Sequence, residues 1–147
     1  MGISMTRFSD RLAQWRGVRC ERVLGVEYEA PSIELIFAVG TVIEFSDGTR
    51  LSAQFWRLTK KGRPEVSIFD HRRQYGLPAP IDALSVLRGE LVGGQLLTAE
   101  IDQTTADLRF MFDHDRGLEV FNFTGFEIWE FTFPDDTGQL SNYALED

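Results

Sequence analysis

Cysteine is almost absent from this chain, which has a single one, Cys20, among its 147 residues. One cysteine cannot form a disulfide within the chain, so we expect a reducing compartment and a cytoplasmic location. Arg19 and Arg22 lie beside it in the sequence, and positive charge of this kind can lower a thiol pKa. No histidine is close in the sequence, and we therefore interpret Cys20 as an ordinary thiol at the start of a strand.

Long apolar runs are also missing. No stretch approaches the ~20 apolar residues that a membrane-spanning helix needs, and the first residues lack the apolar core of a signal peptide. We therefore expect a soluble chain with no membrane partner.

Histidine is scarce, with two in the whole chain. His114 lies between Asp113 and Asp115, but neighbouring strand residues point to opposite faces and cannot all bind one ion. The spacing of Asp113, Asp115 and Gly117 resembles the opening of a calcium loop, yet Thr124 stands where that loop needs a glutamate. Glycine patterns typical of phosphate loops are missing as well, so we expect no metal and no cofactor.

The other histidine, His71, follows Asp70, and this pair suggests a general base with an orienting carboxylate. Such partners usually come from separate segments rather than from adjacent residues, and no serine has a nucleophile-type setting. A small-molecule-binding barrel or a hydrolase-like enzyme that uses Asp70 and His71 therefore stays an alternative to the non-enzymatic function described below.

Apolar and aromatic residues, by contrast, are abundant. Hydrophobic residues make up 43% of the chain, with twelve phenylalanines and three tryptophans. This content argues against disorder, and the length suits one domain with a sizeable core. Because bulky aromatic side chains favour sheets, we predict a mainly β fold, α+β at the margin, in a single domain over 1–147.

Two parts of the sequence resemble each other in order. Residues 10–17 align with 82–89, and residues 45–51 align with 112–118. These similarities indicate an internal duplication, with units over about 8–75 and 81–145. We expect one short helix and three or four antiparallel strands in each unit, packed together as one sandwich or barrel-like domain.

Apolar residues at helical spacing predict the two helices. The first is predicted from Phe8 to Gly17, and the second from the N-cap Asp82 to Gly93. Their apolar faces consist of Phe8, Leu12 and Trp15 in the first and Leu84, Leu87 and Leu91 in the second.

Alternating apolar and polar residues predict half-buried strands over 49–58 and 127–133. Residues 46–48 read Ser-Asp-Gly, and they predict a hairpin turn because aspartate and glycine tolerate positive φ.

The net charge of −8 is divided unequally along the chain. Residues 1–78 contain 12 Lys and Arg against 9 Asp and Glu, whereas residues 79–147 contain 3 against 14. Phosphate binding needs a net basic footprint, so we expect no nucleic-acid partner. The acidic second unit instead predicts a protein partner with a basic surface.

The densest aromatic stretch, residues 121–130, lies among these acidic residues. Aromatic side chains ringed by charge are typical of interface hot spots, and we predict that Phe126 or Trp129 is exposed. The predicted partner-binding residues are Asp113, Asp115, Phe126, Glu127, Trp129, Glu130, Asp135 and Asp136.

The second unit contains the run Leu118-Glu-Val-Phe-Asn-Phe-Thr-Gly-Phe-Glu-Ile-Trp-Glu130, followed by Phe133-Pro-Asp and Ser141-Asn-Tyr. This run resembles an uncharacterised bacterial domain family. The resemblance covers mainly residues 87–145 and implies a fold and a bacterial origin, with no activity attached. A looser similarity, in size and acidity alone, is to the small acidic immunity proteins that neutralise bacterial toxins.

We therefore expect a non-enzymatic acidic binding protein of the immunity type, which occludes a basic partner protein. A second alternative is a structural domain that associates with itself through unpaired edge strands, as a homodimer.

Overall fold

The computed structural model describes residues 3–27, 39–122, 124–125 and 128–141. This part of the chain forms two α-helices, α1 (Met5–Gln14) and α2 (Ala83–Leu91), and a short 3₁₀ turn at Ile68–Asp70. It also forms ten strands, which are β1 (Cys20–Glu27), β2 (Val39–Phe45), β3 (Arg50–Ala53), β4 (Trp56–Lys60), β5 (Arg63–Ser67), β6 (Leu96–Ile101), β7 (Leu108–Phe112), β8 (Arg116–Val120), β9 (Trp129–Thr132) and β10 (Gly138–Leu140).

The strands build two five-stranded antiparallel sheets. The first sheet has the order β1-β2-β3-β9-β10, and the second has the order β5-β4-β8-β7-β6. Their inner faces share one apolar core, in which the rings of Phe110 and Phe131 stack at 6.3 Å between centroids. The prediction of a mainly β, sandwich-like domain with two helices is confirmed.

The two halves of the chain are interleaved rather than placed side by side. The first half contributes β1, β2 and β3 to the first sheet and β4 and β5 to the second. The second half contributes β6, β7 and β8 to the second sheet and β9 and β10 to the first. Each half therefore has one helix and five strands, rather than three or four strands, in the same order.

Hydrogen bonds repeat this correspondence at the junction of the halves. Gly17 N–H donates to the Leu96 carbonyl, and Gly93 N–H donates in the same way to the Cys20 carbonyl, each at 2.8 Å. Gly17 and Gly93 also share a positive φ, of 82° and 88°. The sequence alignment instead pairs Gly17 with Gly89, but Gly89 lies inside α2, so the structural correspondence is shifted.

Local capping explains where the helices begin. The Ser4 side chain accepts a hydrogen bond from Arg7 N–H and caps α1, which ends at Gln14, before the predicted Gly17. Asp82 accepts from Ser85 N–H and caps α2, as predicted. The predicted apolar faces are buried in both helices, with Phe8, Leu12, Trp15, Leu84, Leu87 and Leu91 all in the core.

The predicted strand over 49–58 is wrong in one respect, because the chain changes sheets within it. Gln54 N–H still bonds to a first-sheet neighbour, the Ile128 carbonyl, whereas the Phe55 carbonyl accepts from Phe121 N–H, beyond the end of β8. Trp56 then begins β4 with its side chain in the core, although simple alternation places it outside. The hairpin turn at 46–48 is confirmed, since Gly48 has a φ of 94°.

In the described ranges, no helix has the length and apolar character needed to cross a membrane.

Candidate functional site

The predicted acidic residues lie on two different turns and one strand face. Asp113 and Asp115 belong to the β7–β8 turn, and Asp135 and Asp136 belong to the β9–β10 turn. Glu130 is on the exposed side of β9. Because the sheets interleave the two halves, the described acidic residues of the second half are distributed over both sheets.

The β7–β8 turn is held within the fold, next to a basic turn. Asp113 Oδ1 accepts a hydrogen bond from Gln95 N–H at 3.2 Å. The Asp115 carbonyl accepts from Lys61 N–H at 2.8 Å, which places the acidic turn beside the β4–β5 turn. The local charge is therefore mixed, and this turn is a poor acidic docking surface.

The Asp135 side chain also has partners within the fold. Its carboxylate accepts hydrogen bonds from the Thr137 hydroxyl and from Arg11, and Arg11 also forms an ion pair with it at 3.1 Å. These bonds, that of Thr137 first, lower the pKa of Asp135 to about 2. The side chain thus stabilises its own turn and ties that turn to α1.

Trp129 is not exposed, and the prediction that it is a surface hot spot is wrong. Its side chain points into the core with 1% exposure, and its indole N–H donates to the Ala106 carbonyl at 2.8 Å. Trp56, at the corresponding position of β4, is buried too and donates to the Thr41 hydroxyl at 2.9 Å. Phe126 and Glu127 lie outside the described residues.

Asp70 and His71 make their hydrogen bonds to other groups rather than to each other. Asp70 accepts hydrogen bonds from Ser67 N–H and from the Tyr75 hydroxyl, both at 2.9 Å. His71 is 8% exposed, and its Nδ1 accepts from Ala83 N–H at 3.1 Å, at the start of α2. Burial, and then the nearby Arg72, lower the pKa of His71. Both side chains therefore hold local structure together.

Cys20 is buried at 1% exposure, and this burial raises its pKa to about 12. The neighbouring arginines do not activate it. The interpretation of Cys20 as an ordinary thiol at the start of a strand agrees with its place at the beginning of β1.

The outer face of the second sheet carries a row of paired charges. Arg57, Glu119, Arg109 and Glu100 lie opposite one another on four neighbouring strands. Arg57 holds Glu119 at 3.0 Å, and Arg109 is 3.8 Å from Glu100. Each charge in this row has an opposite charge beside it, as expected for a solvated sheet face.

The corresponding row of the first sheet is different in character. Here Leu24, Val42, Ser52, Glu130 and Leu140 lie opposite one another across all five strands. Leu24 stands where the second sheet has Glu100, and it is 39% exposed. Among the described residues, Glu130 has no ion-pair partner. This row combines exposed Leu24 and buried Val42 with a carboxylate, Glu130, that forms no ion pair within the described residues.

A groove of about 430 Å³ runs along this face beside the β9–β10 turn. Its lining includes Val42, Arg50, Ser52, Glu130, Pro134 and Asp136. It brings together two of the predicted partner-binding residues, Glu130 and Asp136. The sequence prediction missed the contribution of β1 and β2, although the apolar run from Val23 to Val26 places apolar side chains on both faces of an edge strand.

Comparisons with protein-family models, with curated proteins and with solved structures find no match to this chain. Within the part of the chain that the structure describes, no group of three or more His, Cys, Asp or Glu side chains is arranged to hold a metal ion.

Proposed function

We propose that this chain is a protein-binding domain whose first-sheet outer face covers a basic, largely apolar surface of a partner protein. The observation that carries the proposal is the contrast between the two outer faces. At corresponding positions, the second sheet has a row of paired charges and the first has exposed Leu24 and Glu130, which forms no ion pair within the described residues, although the neighbouring row of the first sheet holds the Arg22–Glu44 pair.

Because the two sheets correspond to each other strand by strand, one serves as a comparison for the other. Both sheets have the same strand order and the same position in the sandwich, so the fold alone does not require an apolar outer face. Exposed apolar side chains such as Leu24 and Val26, beside the carboxylate of Glu130, are typical of a surface that is covered in use. A lysine or arginine at the centre of the partner surface would then pair with Glu130 once water is excluded.

This mode of binding fits an inhibitor that acts by occlusion, as an immunity-type protein does. The net charge of −8 favours fast encounter with a basic partner, and burial of Leu24 and Val26 would slow its release.

The test uses the proteins encoded immediately beside the gene of this chain, each offered to the immobilised full-length protein. Binding is measured by surface plasmon resonance with Glu130→Lys and Leu24→Asp variants. The matched controls are Glu65→Lys, on an exposed strand edge, and Leu97→Asp, which replaces a leucine of the second sheet that is 47% exposed. We expect at least about tenfold weaker binding for the first pair only, because one interface hot spot exceeds 1.4 kcal/mol.

Hydrogen exchange of the complex locates the contact independently. Added protection on β1, β2, β3 and β9 supports the proposal. Protection confined to the second sheet, equal effects of the control variants, or no binding by any neighbouring protein would overturn it.

A further inference from the structure

The segment from Asp70 to Asp82 forms a protruding loop between β5 and α2. Seven large apolar residues of the described chain are notably exposed; Tyr75 and Leu77 are in this loop, and Phe69 directly precedes it. Tyr75 is the most exposed of all at 63%. Such a concentration on one short loop marks a candidate contact surface.

Hydrogen bonds hold this loop in one shape. At its neck, Arg72 N–H donates to the Ile81 carbonyl at 2.8 Å, and Ile81 N–H donates to the Arg73 carbonyl at 2.7 Å. At its tip, Leu77 N–H donates to the Gln74 carbonyl at 2.7 Å. A loop that is already ordered loses little conformational entropy when it binds.

The tip also contains an unfavourable backbone conformation. Tyr75 has a φ of 47°, which bulky residues rarely adopt, and Gly76 follows with 77°. This turn presents the tyrosine ring to solvent while its hydroxyl donates to Asp70. Strain of this kind is commonly retained where a side chain is needed for function.

The tip of the loop carries one available cation. From Arg72 to Ile81 the chain has two arginines and no carboxylate, and Arg72 is paired with Glu27 of β1, which leaves Arg73. An occupant of matching chemistry therefore offers apolar walls for Tyr75 and Leu77 together with negative charge for Arg73.

The second sheet of this same chain carries a cleft with that chemistry. It has a volume of about 270 Å³ and lies between the β6–β7 loop and the end of β8. Ile101, Leu108 and Phe121 contribute its apolar part. Its charged residues are Glu100, Asp102, Asp107, Arg109 and Glu119. The volume is below the roughly 300 Å³ of small-ligand pockets and suits one or two side chains of a protein.

The carboxylates of the cleft are held in place by the fold. Asp102 Oδ1 accepts hydrogen bonds from Thr104 and Thr105 N–H, and Asp107 Oδ1 accepts from Asn122 N–H. A carboxylate has about four acceptor positions, so these bonds leave capacity for a guanidinium.

We propose that the cleft of one copy receives the Asp70–Asp82 loop of a second copy, so that the protein associates with itself. Leu77 and Tyr75 contact the apolar part of the cleft, and Arg73 faces Glu100 and Asp102. This contact uses the second sheet and is independent of the partner-binding face on the first.

The sheet order allows the exchange to be reciprocal. The loop leaves from β5 and the cleft is on β6 and β7, at opposite edges of the second sheet. Ser67, at the start of the loop, lies in the same cross-strand row as Arg57, Glu119, Arg109 and Glu100. Four strand spacings separate the two edges by about 19 Å, and in the proposed dimer a twofold axis near β8 relates each loop to the other copy's cleft.

Sedimentation velocity of the full chain over micromolar to near-millimolar concentrations tests the proposal. Two loops inserted into two clefts give a small interface, so we expect a weak dimer that dissociates on dilution. Leu77→Ser and Glu100→Lys are each expected to weaken it at least about tenfold. Val92→Ser and Asp10→Lys are the matched controls, since they change an exposed apolar side chain and an exposed carboxylate elsewhere.

A charge exchange makes the test specific. Arg73→Glu is expected to abolish the dimer, and Arg73→Glu combined with Glu100→Arg is expected to restore it. Circular dichroism of every variant verifies that it folds. A wild type that is monomeric at all concentrations, or a dimer that survives Leu77→Ser and Glu100→Lys, would overturn the proposal, and neither result bears on binding through Glu130.

Discussion

Several side chains that suggest chemistry in the sequence serve local structure in the fold. His71 accepts a backbone hydrogen bond at the start of α2, and Asp70 fixes the beginning of the adjoining loop. Trp129 closes the core with its indole N–H bonded to a carbonyl. In each case a main-chain group nearby is a hydrogen-bond partner of the side chain.

The His71 contact predicts a pH-dependent stability. Nδ1 can accept from Ala83 N–H only while the imidazole is neutral, and its folded-state pKa is lowered by burial and Arg72, against the smaller effects of Asp82 and Glu27. The folded protein therefore binds this proton less readily than the unfolded chain. The contribution is complete above the ordinary value of 6.5 and is lost as pH falls through the folded-state pKa.

Urea unfolding at a series of pH values measures this effect. His71→Asn keeps an acceptor but does not titrate, so its stability is expected to fall less towards acid than that of the wild type. The control His114→Asn changes a histidine whose side chain is 76% exposed, and its stability should depend on pH as that of the wild type does. An unchanged slope in His71→Asn would contradict the assignment.

At the scale of elements, local signals in the sequence predict the helices but not the point where a strand breaks. Both helices follow from apolar spacing, and the Asp82 cap follows from its side chain. The break between β3 and β4 cannot be predicted in this way, because Gln54 and Phe55 are not typical turn residues and the apolar alternation continues through them. The change of sheet is decided by pairing with β9 and β8, which are distant in sequence.

The dependence on pairing between distant strands also explains why only part of the candidate site is predicted from the sequence. The prediction identifies Glu130 and Asp136, which lie in the groove, because charge is readable residue by residue. It misses Leu24 and Val42 as their neighbours, since their outward direction depends on strand register. The exposure of Trp129 is predicted wrongly for this reason too, because an aromatic residue on an alternating strand fits either face.

Substitution by alanine is expected to change the stability of the protein in opposite directions at two glycines of regular elements. A Cβ on Gly138, in β10, would lie well inside contact distance of the Phe131 carbonyl oxygen, and backbone cannot move aside cheaply. Gly138→Ala should destabilise the protein by about 1–3 kcal/mol. Gly89, inside α2, has open space around it, so Gly89→Ala should stabilise by about 0.5–1 kcal/mol.

Urea unfolding of both variants at neutral pH checks the signs, with circular dichroism to verify the fold. Equal effects of the two substitutions would mean that the close approach of β10 to β9 is not as described.

At the scale of the whole molecule, interleaving decides how the divided charge is used. Each sheet contains strands of both halves, so the basic first half and the acidic second half meet within every sheet. Arg57 from one half pairs with Glu119 from the other, and Arg11 pairs with Asp135. The charge asymmetry of the sequence thus becomes, in part, a set of contacts between the halves.

Interleaving also predicts that the protein survives a cut between its halves. The halves are joined by β3 with β9 over four paired positions and by β4 with β8 over five. A protease site inserted between Leu77 and Pro78, at the exposed tip of the loop, should therefore yield two fragments that stay together in one native particle.

Sedimentation in dilute solution should give the mass of the intact monomer, with an unchanged circular dichroism spectrum. Only after cleavage should the unfolding midpoint depend on protein concentration, because two chains must then find each other. The inserted but uncut protein is the control, and separation of the fragments without denaturant would show that each half is a folding unit by itself.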